Sequence, residues 1–489
     1  MEPSLSTLYW HDYETWGEVP AQDRPSQFAG VRTDEDLNIV GEPLMIYCQP
    51  PPDLLPKPDA CMITGFTPRL AQQKGLPEVT FAAKIHAELA FPGTCGVGFN
   101  SIRFDDEVTR YLLYRNFYDP YEREWRNGNS RWDIIDVVRM TRALRPEGII
   151  WPNYEDGRPC FKLEALTRAN NLQHDAAHDA LSDVYATIAV ARLIKTTHPK
   201  LYDYAFKLRD KRFVGSLIDI SGCKPLLHIS SRFSAENGNA ALVLPIAVHP
   251  INKNSVITFN LSFSPADLLA LSVDELRVRL YTATDALPDG VTRLALKEIH
   301  LNKSPMVLPV TMLDDATAVR LSIDRQVCER HWQQFRSLTL DEQRTLQAKL
   351  VQLYSDNPFA EKTDPEQMLY NGFVGDHDKK LMLQLRRAQP ERLASGQFEF
   401  QDGRLHELLF RYRARNFPEA LNEEEAQRWR HFCYMRLTDP GYGAGICIGQ
   451  LQERITELLQ METTTEQQKI ILKELLEYAD NHVNTYVTG

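Results

Sequence analysis

Two carboxylates one residue apart, Asp12 and Glu14 in "YWHDYETWG", are the first residues that could do chemistry. A strand sends positions i and i+2 to the same face, so the pair sets two negative charges side by side. Like charges that close raise each other's pKa unless a cation sits between them. A divalent metal with hard oxygen ligands is the economical cation. A strand end leaving into the turn at Gly17, with both acids solvated, fits the same two residues. Three further positions bear on the choice: Asp105 in "GFNSIRFDDEVTR", at an expected helix start, and His178 and Asp183 in "HDALSD". Five helical residues turn through about 500°, so His178 and Asp183 share no face if both are helical. With Asp179 as the N-cap, His178 falls in the preceding loop and both reach one site. Four carboxylates and a histidine on three elements then converge. Two Mg²⁺ ions about 3.5–4 Å apart, held by carboxylates, stabilise the attacking and leaving oxygens of a phosphodiester. In that arrangement Asp12 bridges both ions, Glu14 and Asp183 complete one, and Asp105 supports the other. His178, with a reference pKa near neutrality, takes the proton of the attacking water.

The elements that must position these residues follow from the pattern. A strand is expected over 6–12, and two more around the acidic turn at Asp34 to Asn38. "PEVTFAAKIHAELA" has helical spacing behind a Pro start, and "TCGVGFN" is a short buried strand. Helices are expected from Asp105 to Tyr114 and around "DIIDVVRMTRAL", and "ALSDVYATIAVARLIK" puts Ala180, Val184, Ile188 and Ala191 on one stripe. Three antiparallel-type strands followed by alternating helices and strands indicate an α/β sheet layered with helices. The pattern changes around Pro199. Short β-rich runs from 217 to 312 suit a small barrel or sandwich. Beyond Asn357 the pattern is almost wholly helical, ending in a helix for which Thr463 and Glu466 have capping-box spacing.

At 489 residues the length prior gives roughly three domains. No stretch approaches the about 20 apolar residues of a membrane helix, and no basic region leads into an apolar one near the start. Eight cysteines without C-x-x-C pairs argue for a reducing cytoplasm and against structural zinc or a disulfide framework. A net charge of −11 discourages phosphate binding, but its distribution matters more than its sum. From Val108 to Arg145 there are eight Arg against five acids, and from Gln450 onward seven acids against three basic residues. A basic groove on an acidic body is therefore permitted.

The D-x-E pair, Asn100 to Asp105 as N-x-x-x-F-D, and H-x-x-x-x-D resemble the three motifs of the DEDDh 3′→5′ exonucleases. "HDYET", "RFDDEVTR", "RNFYDPY", "SRWDIIDV", "ALRPEGI", "AHDALSDVYATIA", "LYNGF" and "YRARNFP" extend the resemblance to the bacterial exonuclease I family over nearly the whole chain. The resemblance implies an α/β ribonuclease H-like exonuclease domain (1–198), an SH3-like β-barrel domain (199–355) and a C-terminal α-helical domain (356–489). It implies Mg²⁺-dependent release of 5′-mononucleotides from the 3′ end of single-stranded DNA, with two ions per site and Mn²⁺ able to substitute. A cytoplasmic monomer in DNA repair and recombination is expected. A DEDDh exoribonuclease acting on short RNA is the alternative enzyme, although such chains lack the two extra domains. A catalytically inactive nucleic-acid-binding module is the alternative outside enzymology.

Between 108 and 145 seven aromatics interleave with the arginines, the pairing that holds single strands by stacking over a basic track. Tyr111, Tyr114 and Trp132 are expected in the core, and Tyr121 and Trp125, in a polar, turn-rich segment, against DNA. Arg110 and Arg139 suit phosphates or a solvated surface. By family position, Lys162 (usually Arg) reaches the terminal nucleotide, and Lys211, Asn254, Lys297 and Asn302 face the groove. Glu14 belongs to the substrate contacts as well. Asp106 and Glu107 read as partners of a helix dipole, and His11, on the opposite face from Asp12, as a core histidine. The family docks the acidic C-terminal tail of single-stranded-DNA-binding protein, and Arg145, Tyr204 and Lys224 match that pocket. "PVTMLD" at 309–314 is less polar and less basic than the family pattern.

Overall fold

A computed structural model describes residues 6–174, 179–355, 362–393, 398–443 and 445–487. His178 lies outside the described residues. The chain divides into two compact units: Met1–Ser130 with His174–Ile188 and Glu361–Gly489, and Arg131–Gln173 with Ala189–Ala360. Asp12, Glu14, Asp105 and Asp183 therefore share a unit with the C-terminal segment.

The first unit is built on a mixed sheet of order β3-β2-β1-β4-β5. Its strands are β1 (Thr7–Thr15), β2 (Pro25–Thr33), β3 (Leu44–Tyr47), β4 (Thr94–Gly98) and β5 (Ser130–Asp133), on which the chain passes into the second unit. β1 runs antiparallel to β2, with Asp12 opposite Ala29 and Glu14 opposite Gln27. It pairs in parallel with β4 only from Thr7 to Trp10. Asp12 and Glu14 thus lie past the end of the parallel ladder, at the carboxyl end of a central strand, where open α/β sheets leave their binding crevice. On the opposite face His11 and Tyr13 are buried, and Tyr13 packs edge-on to Phe28 at 4.8 Å. Burial holds the His11 imidazole down at about 4, as befits a core histidine.

The helix Asp105–Arg115 carries three acids in its first turn, where the amide dipoles favour them. Asp106 also meets buried Arg123 at 2.6 Å. Asp179 caps the helix Ala180–Thr197 by accepting from the Ser182 amide at 3.1 Å. The stripe Ala180, Val184, Ile188 and Ala191 is buried, as its period requires.

The C-terminal segment is helical, and an ionic network ties it into this unit. Glu366 accepts from Arg24 at 2.8 Å and from Arg415, while Arg415 also clasps buried Asp53 at 2.7 and 2.8 Å. The last helix, Glu466–Val487, begins two residues later than its Thr463 spacing suggests. Its box is Thr465 with Gln468, each amide bonded to the other's side chain, while the Thr464 hydroxyl turns inward to the Leu458 carbonyl. Three consecutive threonines offer several registers, and the buried Thr464 selects one.

The second unit holds an antiparallel sheet of order β10-β6-β7-β8-β9: β6 (Leu226–Ile229), β7 (Ala240–Val248), β8 (Ser255–Asn260), β9 (Leu296–His300) and β10 (Met306–Pro309). Leu227, Val243, Ile257, Ile299 and Val307, one from each strand, are fully buried. A register shift between Pro245 and Ala247 bends β7 where Pro lacks an amide to donate. The stretch between β8 and β9 differs from the all-β expectation. Helices Ala266–Ala270 and Val273–Tyr281 interrupt it, the second started by a Ser272/Glu275 capping box.

Candidate active site

β1 delivers Asp12 and Glu14 to one face, and the first turn of the Ala180–Thr197 helix delivers Asp183. One carboxylate oxygen from each lies within 4.8 Å of the other two, close enough to hold a cation in common. Asp105 stands beside this group rather than within it. Its Oδ1 accepts the Tyr13 amide at 3.2 Å, which fastens the helix start to β1 between the two metal-type carboxylates. Burial, then the charges of Asp105, Glu14 and Asp183, hold the Asp12 carboxyl well above the usual carboxylate range. Burial and the charges of Asp183, Asp105 and Asp179 push Glu14 up to about 9. Four hard oxygen donors, two of which (Asp12 and Glu14) are raised by the charges of their neighbours, fit a divalent cation, which removes the repulsion that the protons otherwise relieve.

The aromatic and basic residues divide. Trp125 is 64% exposed, as a stacking platform must be. Tyr121 is partly buried among Tyr370 and Phe373, with ring centroids 6.5 and 5.5 Å away and the Arg110 guanidinium 5.3 Å over its face. Arg110 is buried, grips Glu124 with two bonds of 2.7 and 2.8 Å, and reaches Glu107 at 2.6 Å. The structure therefore gives its donors to carboxylates and, at 3.0 Å, to the Tyr370 hydroxyl. Tyr111, Tyr114 and Trp132 are core residues. Sequence reasoning passed over Tyr370 and Phe373, which are 55% and 84% exposed. Their signal was two aromatics in the quoted "LYNGF", beside a glycine.

Within the second unit, Arg139 donates to Asp136 at 2.6 Å and lies 5.5 Å over Phe161. Lys162 is exposed at the cap of the helix Leu163–Ala169. The Lys211 ammonium donates to the Asn254 side chain, so two residues expected on one groove do meet. Lys297, on β9, is shifted down by burial and by Arg293 and Arg232, and Asn302 is exposed with its carbonyl bonded to Arg131 at 3.1 Å. The Tyr204 hydroxyl donates to the Val307 carbonyl at 2.9 Å, Arg145 donates to the Leu144 carbonyl at 2.6 Å, and Lys224 pairs with Asp219 at 2.9 Å.

Carboxylates gathered at the carboxyl end of a central strand, completed from two helix starts, define a metal-dependent exonuclease of the ribonuclease H-like kind. The family comparisons narrow that class. Residues 9–191 match the Exonuclease family, 209–356 the Exonuclease I SH3-like domain and 363–482 the Exonuclease I C-terminal domain. Exodeoxyribonuclease I of Escherichia coli strain K12 is 44% identical over 479 residues, 98% of each chain. The chain belongs to the exodeoxyribonuclease I family. Among solved structures, a moderately thermophilic exonuclease I from Methylocaldum szegediense is 48% identical with a TM-score of 0.93, covering 98% of this chain and 100% of that one. The zinc-bound form of an Escherichia coli exonuclease I–single-stranded DNA complex is 44% identical with a TM-score of 0.92 and the same coverage. The matches run through all three segments, which disfavours the short-RNA exoribonuclease.

Proposed function

We propose that this protein hydrolyses single-stranded DNA from its 3′ end to 5′-mononucleotides, with Mg²⁺ as its metal and Mn²⁺ able to substitute, in DNA repair and recombination. The convergence of Asp12, Glu14 and Asp183 within 4.8 Å, with Asp105 alongside, carries the reading. Four carboxylates exceed the charge that one divalent ion neutralises, which supports two ions per site. When bound, the ions supply Lewis acidity at the scissile phosphate and lower the pKa of the attacking water. Asp12, flanked by the other three acids, would be shared by both ions. Glu14 and Asp183 would help to hold one of them, and Asp105, anchored by the Tyr13 amide, would help to hold the other. His178 accepts the proton of the attacking water.

Base stacking falls to Trp125 and to the Tyr121, Tyr370 and Phe373 group, and sequence preference is slight because every base has a π-face. Arg139, Lys162, Lys211, Asn254, Lys297 and Asn302 follow the backbone. Arg110 joins them only by exchanging Glu107 or Glu124 for a phosphate. Arg145, Tyr204 and Lys224 receive the acidic tail of single-stranded-DNA-binding protein. The enzyme acts as a cytoplasmic monomer of three domains, 1–198, 199–355 and 356–489. Among the described residues no helix is long and apolar enough to cross a membrane.

End-labelled single-stranded DNA, blunt duplex and RNA, incubated with Mg²⁺ or EDTA and sized, test the reading. Mononucleotides should arise from single-stranded DNA alone and only with Mg²⁺. Equal degradation of blunt duplex, or undiminished activity in EDTA, would sink it.

A further inference from the structure

Four residues before His178 stands a second histidine, His174, that the catalytic scheme leaves unused. Its Nε2 lies 2.6 Å from Oδ1 of Asp183. The His174 side chain is 6% exposed and that of Asp183 20%, so the contact is largely screened from water. The helix backbone decides where the Asp183 Cβ sits, but not the rotation of its carboxylate. That last torsion is broad and roughly two-fold. Aiming an oxygen at Asp12 and Glu14 therefore needs a partner that fixes the carboxylate plane. A carboxylate has about four lone-pair sites, so it can accept from an imidazole and still ligate a cation.

We propose that His174 is a positioning residue, donating from its ring to Asp183 and setting that carboxylate to complete a cation site with Asp12 and Glu14. This rests on Asp183 being a metal ligand. Partners that orient a ligand in this way typically change metal affinity by about 10–100-fold.

Mn²⁺ binding to the full chain, followed by the electron paramagnetic resonance of the free ion, tests the assignment in His174→Ala, His174→Gln and Asp183→Asn. His174→Ala should weaken binding by about 10–100-fold. His174→Gln, whose amide Nε2 can donate from a similar reach, should recover it to within a few-fold. Binding of single-stranded DNA in EDTA should be the same in His174→Ala and His174→Gln as in the wild type. The role is overturned if His174→Ala holds Mn²⁺ as the wild type does, or if His174→Gln is no better than His174→Ala. It is also overturned if His174→Ala loses its fold or its DNA binding in EDTA, because the ring then serves packing. Asp183→Asn separates the two readings. Wild-type affinity in that variant defeats the ligand assignment itself, whereas its loss beside an intact His174→Ala defeats only the positioning role.

Discussion

The amide of Tyr13 donates to Oδ1 of Asp105 across 92 residues of chain. Tyr13 separates Asp12 from Glu14, so one bond sets the distance between the strand pair and the carboxylate of the helix start. The bond brings Asp105 close enough for its charge to act on both Asp12 and Glu14.

Asp12→Ala should reduce hydrolysis by roughly 10³-fold or more, since metal-held charge stabilisation supplies several kcal/mol. The fold should survive, because the change removes one of four mutually repelling charges. Single-turnover assays with circular dichroism as control decide it. A rate within a few-fold of wild type, with an intact spectrum, would defeat the assignment.

His178→Ala should lower the rate by about 10²–10⁴-fold while single-stranded DNA still binds in Mg²⁺. Fluorescence anisotropy beside the rate separates the outcomes. Collapse of both together would mean that the histidine is structural.

Stability without metal should fall as pH rises. Glu14 is pushed from 4.5 to about 9 in the folded protein, so between those values the folded state binds more protons than the unfolded chain. Below about pH 6.5 the lowered His11 acts in the opposite sense, so thermal midpoints in EDTA should decline from about pH 6.5 to 9, and Mg²⁺ should flatten the decline by taking the protons' place. Glu14→Gln should reduce the slope. Identical slopes in wild type and variant would remove Glu14 as its source.

Trp125→Ala should weaken single-strand binding by about 1–3 kcal/mol if its exposed ring stacks a base, with little change in the thermal midpoint. Tyr121→Ala should lower the midpoint too, because that ring packs against Tyr370 and Phe373. Binding titrations and melts on both variants would show the contrast, and an unchanged affinity in Trp125→Ala would exclude stacking there.

Glu366→Ala should destabilise the first unit by about 3–5 kcal/mol, because buried Arg24 would keep only Glu78 at 3.6 Å and buried Arg415 only Asp53, each short of one carboxylate. Urea unfolding measures it. A loss below about 1 kcal/mol, the worth of an exposed pair, would mean that water reaches the network.

Period and spacing alone placed Asp12 and Glu14 on one strand face, Asp105 at a helix start and the buried stripe of the Ala180–Thr197 helix. These follow from local geometry, in which alternation and the 3.6-residue turn are properties of a few consecutive residues. The motifs of the family were equally legible, because they are strings. What the sequence could not carry were relations between distant segments: the Tyr13–Asp105 bond, the Arg110–Glu124 clasp that turns a candidate phosphate contact inward, and the His174–Asp183 contact. The grouping of the C-terminal segment with the strand of Asp12 and Glu14 was likewise decided in space, by the Glu366, Arg415 and Asp53 network and by cores in which Trp16 packs with Leu451 and Leu475, and Tyr114 with Leu405 and Leu408. A charge reads the same in a sequence whether it meets water, a phosphate or a buried carboxylate. Only tertiary structure selects its partner, because desolvation and Coulomb terms depend on which segments are brought together in space.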